Sequence, residues 1–415
     1  VSKGPAGDRA LTDIRGHREK HSWSGAFLYR DRAPVLAFAT VLVLSLAQQD
    51  DKPADRAGQG AGQGEGMEFG TFMEFPPLAA SGEAAAFDQA LGEVAAADRW
   101  GLDAVWLAEL HGAPERSVLS APMMVASAIA AATERVRIGL AVQVLPLSHP
   151  LRLAEEAATV DQISRGRLIY GIGRSGVVRT YEEYGISYAE SRERFAETLE
   201  ILRLAWTQPT FSYHGKYHSF DAVALSPKPY QKPYPELRMA GATPETFPAI
   251  GKLGFPVFVA VRQGPFKQLI PYIKAYRDAY REAGHPGEGK VFLRVPAYLA
   301  DTEARAHAEL EPSLMGFFRY QADLGRDSAR RAGGEVAVQR LRQVERLEAL
   351  TFDEALSTQV ICGAPDSFAT RLKEVEEELG LDGILAELNC GGKIPHDGVM
   401  RALQLLCEEV KPRFH

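Results

Sequence analysis

The stretch GIGRSG, Gly171–Gly176, decides the fold. It satisfies G-x-G-x-x-G, the pattern that seats a dinucleotide pyrophosphate on a helix N-terminus. That fingerprint belongs to the first strand–turn–helix of a doubly wound sheet and leads into a closely packed helix. Here it closes a fourth apolar run, RLIYGIG (167–173), and is followed by VVRTYEEYGI (177–186), which is not a small-residue helix. A strand end in a barrel is the better placement. Gly173, Arg174 and Ser175 then stand at the C-terminal mouth, where barrel active sites lie. A glycine there lets a ligand approach the backbone, and Arg174 can fork onto a phosphate. The competing use of Arg174 is a surface ion pair.

Working outward, apolar runs alternate with helical patterns. Strands are predicted at 67–73, 103–109, 135–145, 167–173, 237–241, 256–261, 291–300 and 383–388. Helices are predicted over 84–100, 122–132, 151–163, 190–206, 244–253, 266–282, 366–379 and 398–410. In 84–100, Phe87, Leu91, Val94 and Ala95 recur at helical spacing. Strands this apolar are buried on both faces, as in parallel sheets. Eight strand–helix units over about 345 residues favour a closed α/β (β/α)8 TIM barrel with insertions over an open doubly wound sheet. A charged stretch at about 302–350, with RDSARRAGG and RLRQVERLE, reads as a solvated helical lid or dimer arm.

Residues 1–66 differ from the rest and read as a poorly ordered leader, followed by a barrel domain over 67–415. APVLAFATVLVLSL (33–46) is too short for a comfortable membrane span, and AGQGAGQGEG (57–66) is a flexible linker. The leader is either an export signal, since Arg30 and Arg32 precede the apolar run and Ser45–Ala47 resembles a cleavage site, or translated sequence upstream of a natural start at Met67. The net charge of −7 and the lack of a basic, aromatic-interleaved stripe argue against nucleic acid. Three cysteines without a CxxC pair, and no HExxH spacing, argue against a disulfide framework and a metal site.

The run RIGLAVQVLPLSHPLRLAEEAATVDQISRGRLIYGIGR (137–174) resembles the central signature of the bacterial luciferase-like flavin monooxygenases. WGLDAVWLAELHG (100–112), FSYHGKYHSF with PKPYQKPYPELRMAG (211–241), and ICGAPDSFATRL (361–372) are similar to other family stretches, so the likeness spans Met67–Pro412. The resemblance implies a (β/α)8 barrel that takes FMN already reduced by a separate flavin reductase. Dioxygen then adds at the flavin C4a carbon, and the peroxyflavin oxidises a small organic substrate. It also implies a homodimer. Reduced FMN is made by cytoplasmic reductases, so a cytoplasmic enzyme beginning at Met67 is expected. A same-fold deazaflavin oxidoreductase and a non-catalytic flavin-binding protein are the alternatives. An aldolase-type barrel would need a strand-end lysine that the core strands lack.

Arg174 matches the family's phosphate-contacting arginine. A second phosphate contact is expected at Ala242 and Thr243, with Thr243 capping a helix that starts at Pro244. The family packs its third strand on the isoalloxazine, which by position makes Leu140, Ala141 and Gln143 candidates. Gln143 is the one polar side chain in its run, and a buried amide needs partners. Those partners are either the flavin or groups inside the barrel. His111 is the candidate general acid/base, oriented by Glu109, or else a structural histidine. The luciferases proper carry two histidines after this glutamate. Leu110 replaces the first, so light emission is not expected.

Overall fold

The computed structural model describes residues 66–77, 82–261, 264–332 and 334–414. The leader lies outside these apart from Gly66, so its expected disorder and signal-like layout fall beyond the described residues. Eight parallel strands close on themselves: β1 (Glu68–Met73), β2 (Ala104–Leu107), β3 (Arg137–Leu140, resumed at Gln143–Val144), β4 (Leu168–Gly173), β5 (Glu236–Ala240), β6 (Val257–Ala260), β7 (Val291–Leu299) and β8 (Gly383–Glu387). Each pairs with the next, and β8 returns to β1 with Glu68 opposite Gly383 and Thr71 opposite Ala386. This is the TIM-barrel closure expected from the eight apolar runs.

The interior explains why those runs are so apolar. Trp106 on β2 is fully buried and meets Phe258 of β6 edge-on, with ring centroids 5.0 Å apart. It fits because its register partner on β3 is Gly139, where a Cβ would stand 2.0 Å from the indole. Beneath it lies an ionic floor. Arg238 of β5, 1 % exposed, grips both oxygens of Glu68 at 2.8 and 2.7 Å and donates to Glu236 at 2.8 Å. Its guanidinium stacks on Phe292, 3.6 Å from the ring centroid. Arg137, the first residue of β3, pairs with the same two carboxylates. Burial alone would raise Glu236, but Arg238 and Arg137 hold its carboxyl down at about 2.

Helices Pro122–Ala132, Pro150–Ser164 and Pro365–Leu379 each begin at a proline, whose fixed φ suits the first turn. The segment between β4 and β5, irregular in the sequence-based strand and helix pattern, holds an antiparallel hairpin, Phe211–His214 with Ser219–Val223. Glu197 anchors it by accepting the backbone N–H groups of Lys216, Tyr217 and His218. The insertion after β7 forms two helices packed on one another, Glu303–Ala332 and Gly334–Ala349. It is not simply a solvated arm. Ala306, Leu310, Leu314, Phe318 and Ala322 recur every four residues and are buried, forming one apolar stripe. No helix among the described residues is long and apolar enough to cross a membrane.

Candidate active site at the barrel mouth

The glycines of GIGRSG serve strand packing. A Cβ on Gly171 would lie 1.7 Å from the Leu140 carbonyl oxygen, and one on Gly173 would lie 2.3 Å from the Val142 side chain. The open face expected at Gly173 is therefore covered by β3. No tightly packed helix follows, only the short helix Val178–Glu183. The motif marks close approach of two barrel strands rather than a dinucleotide crevice.

Arg174 follows directly. Its Nη1 donates to the Ser191 hydroxyl at 2.8 Å, its guanidinium lies 5.4 Å from the Tyr188 ring centroid, and its carbonyl accepts from the Tyr181 hydroxyl. Among the described residues it has no carboxylate partner, so it is not a surface ion pair. Ser175 takes a left-handed φ of 57°, and its hydroxyl accepts from Val177 N–H.

The turn after β5 differs from expectation. The helix begins at Thr246, not Pro244, and Thr243 does not cap it. Instead the Thr246 hydroxyl accepts from Ala242 and Thr243 N–H at 3.2 and 3.3 Å and donates to the Thr243 carbonyl at 2.7 Å. Thr246 wins because a hydroxyl at that position closes the turn on both its donor and acceptor sides. The Thr243 hydroxyl is left buried without a hydrogen-bond partner among the described residues.

β3 is interrupted after Leu140, and the Ala141–Val142 peptide is cis. Leu140 is fully buried and Ala141 half-buried. Gln143 finds a partner inside the barrel for one end of its amide only. Its Nε2 donates to Glu109 at 2.6 Å, inside the protein, while its buried Oε1 has no partner. Glu109 is a hub: one oxygen also accepts from Val144 N–H at 2.8 Å, and the other meets His111 Nε2 at 2.9 Å. The second imidazole nitrogen, Nδ1, lies 3.0 Å from the Tyr184 hydroxyl. Burial, then Glu109 and Glu183, raise the Tyr184 phenol, which keeps its proton. Leu110 is partly buried and packs against the core. Tyr184 was missed from sequence, although it lies in the YEEYGI run after the motif.

Sequence reasoning also missed a second cluster, at the ends of β1 and β8 and inside β7. Glu74 accepts from Arg116 Nε at 2.7 Å and from Arg294 at 3.1 Å. Arg294 Nη2 and Nε both reach one oxygen of Glu387, at 2.8 and 3.1 Å. Burial raises Glu74, yet Arg116 and Arg294 bring it below its ordinary value; burial dominates at Glu387 and leaves it raised. Glu74, Arg116 and Glu387 line a cavity of about 410 Å3, roofed by Phe317 and Tyr320 of the insertion. Arg116 joins roof to floor, its guanidinium 5.2 and 5.4 Å from those two rings.

A family model described as "Luciferase-like monooxygenase" matches residues 67–383. The chain belongs to the luciferase-like monooxygenase family. The oxygenase component of a flavin-dependent trigonelline monooxygenase from Acinetobacter baylyi is 24% identical, over 79% of this chain and 90% of that protein. Among solved structures, the oxygenating constituent of 3,6-diketocamphane monooxygenase from Pseudomonas putida, in complex with FMN, aligns at TM-score 0.71 and 20% identity, covering 84% of this chain and 99% of that one. The coenzyme F420 dependent tetrahydromethanopterin reductase of Methanopyrus kandleri aligns at TM-score 0.63 and 17% identity, covering 84% and 100%. Members of the luciferase-like family named as monooxygenases thus share this chain's sequence pattern, and its barrel is shared more widely. The chain is a flavin-dependent oxidoreductase of the monooxygenase kind.

Proposed function

We propose that this luciferase-like protein binds reduced FMN supplied by a separate reductase and uses dioxygen to oxygenate a small organic molecule. The observation that carries the reading is Arg174: a half-buried guanidinium at a barrel-strand end with no carboxylate to neutralise it. A cation so placed favours an anion, and a flavin phosphate is the anion that family membership supplies. The residues fit the rest of the cofactor. The unpartnered Gln143 Oε1 is an acceptor suited to a ring N–H, and β3 offers the Leu140–Ala141 backbone beside it. Bound reduced FMN would supply the activation of dioxygen. The trigonelline relative's designation as an oxygenase component supports a reductase partner; the family resemblance implies a homodimer, and dependence on reduced FMN made by cytoplasmic reductases favours the cytoplasm.

The protein's own residues divide the remaining work. Glu109 accepts a proton-bearing Nε2 and so leaves His111 Nδ1 to accept from Tyr184. His111 is thereby held in one tautomer, able to take or return a proton at Nδ1 once Tyr184 yields its place. Anaerobic titration with reduced FMN tests the reading. Tight binding that Arg174→Ala weakens about tenfold or more is expected, the worth of one charge-assisted hydrogen bond. Failure to bind FMN, with binding of a deazaflavin instead, would overturn it in favour of hydride transfer.

A further inference from the structure

The cavity beside β1 and β8 is built for a ligand and is separate from the groups assigned to the phosphate and ring. Neither Arg174, Gln143 nor Thr243 lines it. The loop after β2 joins the two regions, since it carries His111 toward β3 and Arg116 into the cavity wall. Its volume of about 410 Å3 suits a molecule of roughly ten to twelve heavy atoms with room for water. The walls are mostly apolar, with Phe72, Phe75, Ala86, Leu388 and Val399 among them.

One buried polar atom of a lining residue is unspent. Glu387 is 4 % exposed; its Oε2 takes both Arg294 bonds and its Oε1 has no hydrogen-bond partner. A buried carboxylate oxygen left unpaired costs stability and calls for a donor. The arginines are not free to serve an acidic ligand. Arg116 is committed to Glu74, and Arg294 is divided between Glu74 and Glu387. Lys393, a further cation on the wall, is exposed and lies alongside Gly316.

We infer that this cavity takes the organic substrate, and that the substrate is a compact, uncharged, largely apolar molecule whose one O–H or N–H group donates to Glu387 Oε1. This rests on the monooxygenase reading for the word substrate; the binding preference does not. A matched set on one carbon skeleton tests it: perillyl alcohol, limonene and perillate. Calorimetric titration of the protein, with and without FMN, is expected to show the alcohol binding about tenfold or more tighter than the hydrocarbon or the carboxylate. Glu387→Met should erase the preference for the alcohol over limonene. Gln89→Trp fills the cavity from a half-exposed position on helix Gly82–Trp100. It should abolish binding of the alcohol while leaving FMN affinity unchanged, which keeps the test alive if Glu387→Met does not fold. Equal affinities, tighter binding of perillate, or no binding of any of the three overturns the inference. Failure of FMN to bind, with alcohol selectivity intact, would overturn only the flavin reading.

Discussion

The barrel carries two ionic tetrads of the same composition, two glutamates and two arginines, at its opposite ends. At the floor are Glu68, Arg137, Glu236 and Arg238; at the mouth are Glu74, Arg116, Arg294 and Glu387. In each, one arginine stacks on an aromatic ring 3.6 Å away, Arg238 on Phe292 and Arg294 on Phe72. The difference lies in the accounting of oxygens. At the floor all four carboxylate oxygens accept from arginine. At the mouth Glu387 Oε1 accepts from nothing, and Glu387 lines a cavity. The same residue types make a finished structural joint at one end and an unfinished one, open to a ligand, at the other.

The largest effect should come from breaking the finished joint. Arg238→Met leaves two half-buried carboxylates without their main partner and is expected to cost about 3 kcal/mol in urea unfolding. FMN affinity of the fraction that remains folded should be unchanged, because the floor is the far end of the barrel from Arg174. A loss of FMN affinity comparable to that of Arg174→Ala would show that the two ends are not separable.

Acid comes next. The Glu236 carboxyl lies at about 2 in the folded protein, below its ordinary 4.5. A depressed carboxylate stabilises the fold above its unfolded value, and that contribution fades as pH falls from about 4.5 through about 2. The shift corresponds to at most about 3–4 kcal/mol. Melting temperatures of wild type and Glu236→Gln should therefore converge as the pH drops from 5 toward 2.5. Parallel curves would remove the floor from the list of acid-labile joints. Glu387, raised rather than depressed, adds nothing of this sign.

These two tetrads also show what could be read from sequence. The barrel was legible because each strand is a short apolar run flanked by a helical pattern, and both of its faces are buried. The break in β3 was not, since nothing in GLAVQVLP marks where pairing stops. Arg174 and the Glu109–His111 pair lie close in sequence to strand ends and could be found by position. The mouth tetrad could not. Glu74 and Glu387 lie at opposite ends of the domain, and singly each is one charge at the end of an apolar run. Arg294 offered the clearest signal, a lone charge inside VFLRVPAYL. The Thr243 cap failed for a local reason: Thr246, three residues on, has the hydroxyl that closes the turn.

The smallest effect is the sharpest test of the comparison. Glu68→Gln and Glu387→Gln are the same change at opposite ends. At the floor both oxygens of Glu68 receive guanidinium N–H groups, so the new amide must set a donor against a donor. A cost of about 2–3 kcal/mol is expected. At the mouth only Oε2 is occupied, so the amide keeps its oxygen toward Arg294 and sets its NH2 at the unpartnered position. Removing a charge whose burial is already unfavourable offsets the weaker pairing with Arg294, and the net change should stay within about 1 kcal/mol. Parallel urea unfolding of the two variants reads the difference directly. Equal costs would mean that Glu387 is as fully committed to structure as Glu68, and the distinction between a closed floor and an open mouth would fail.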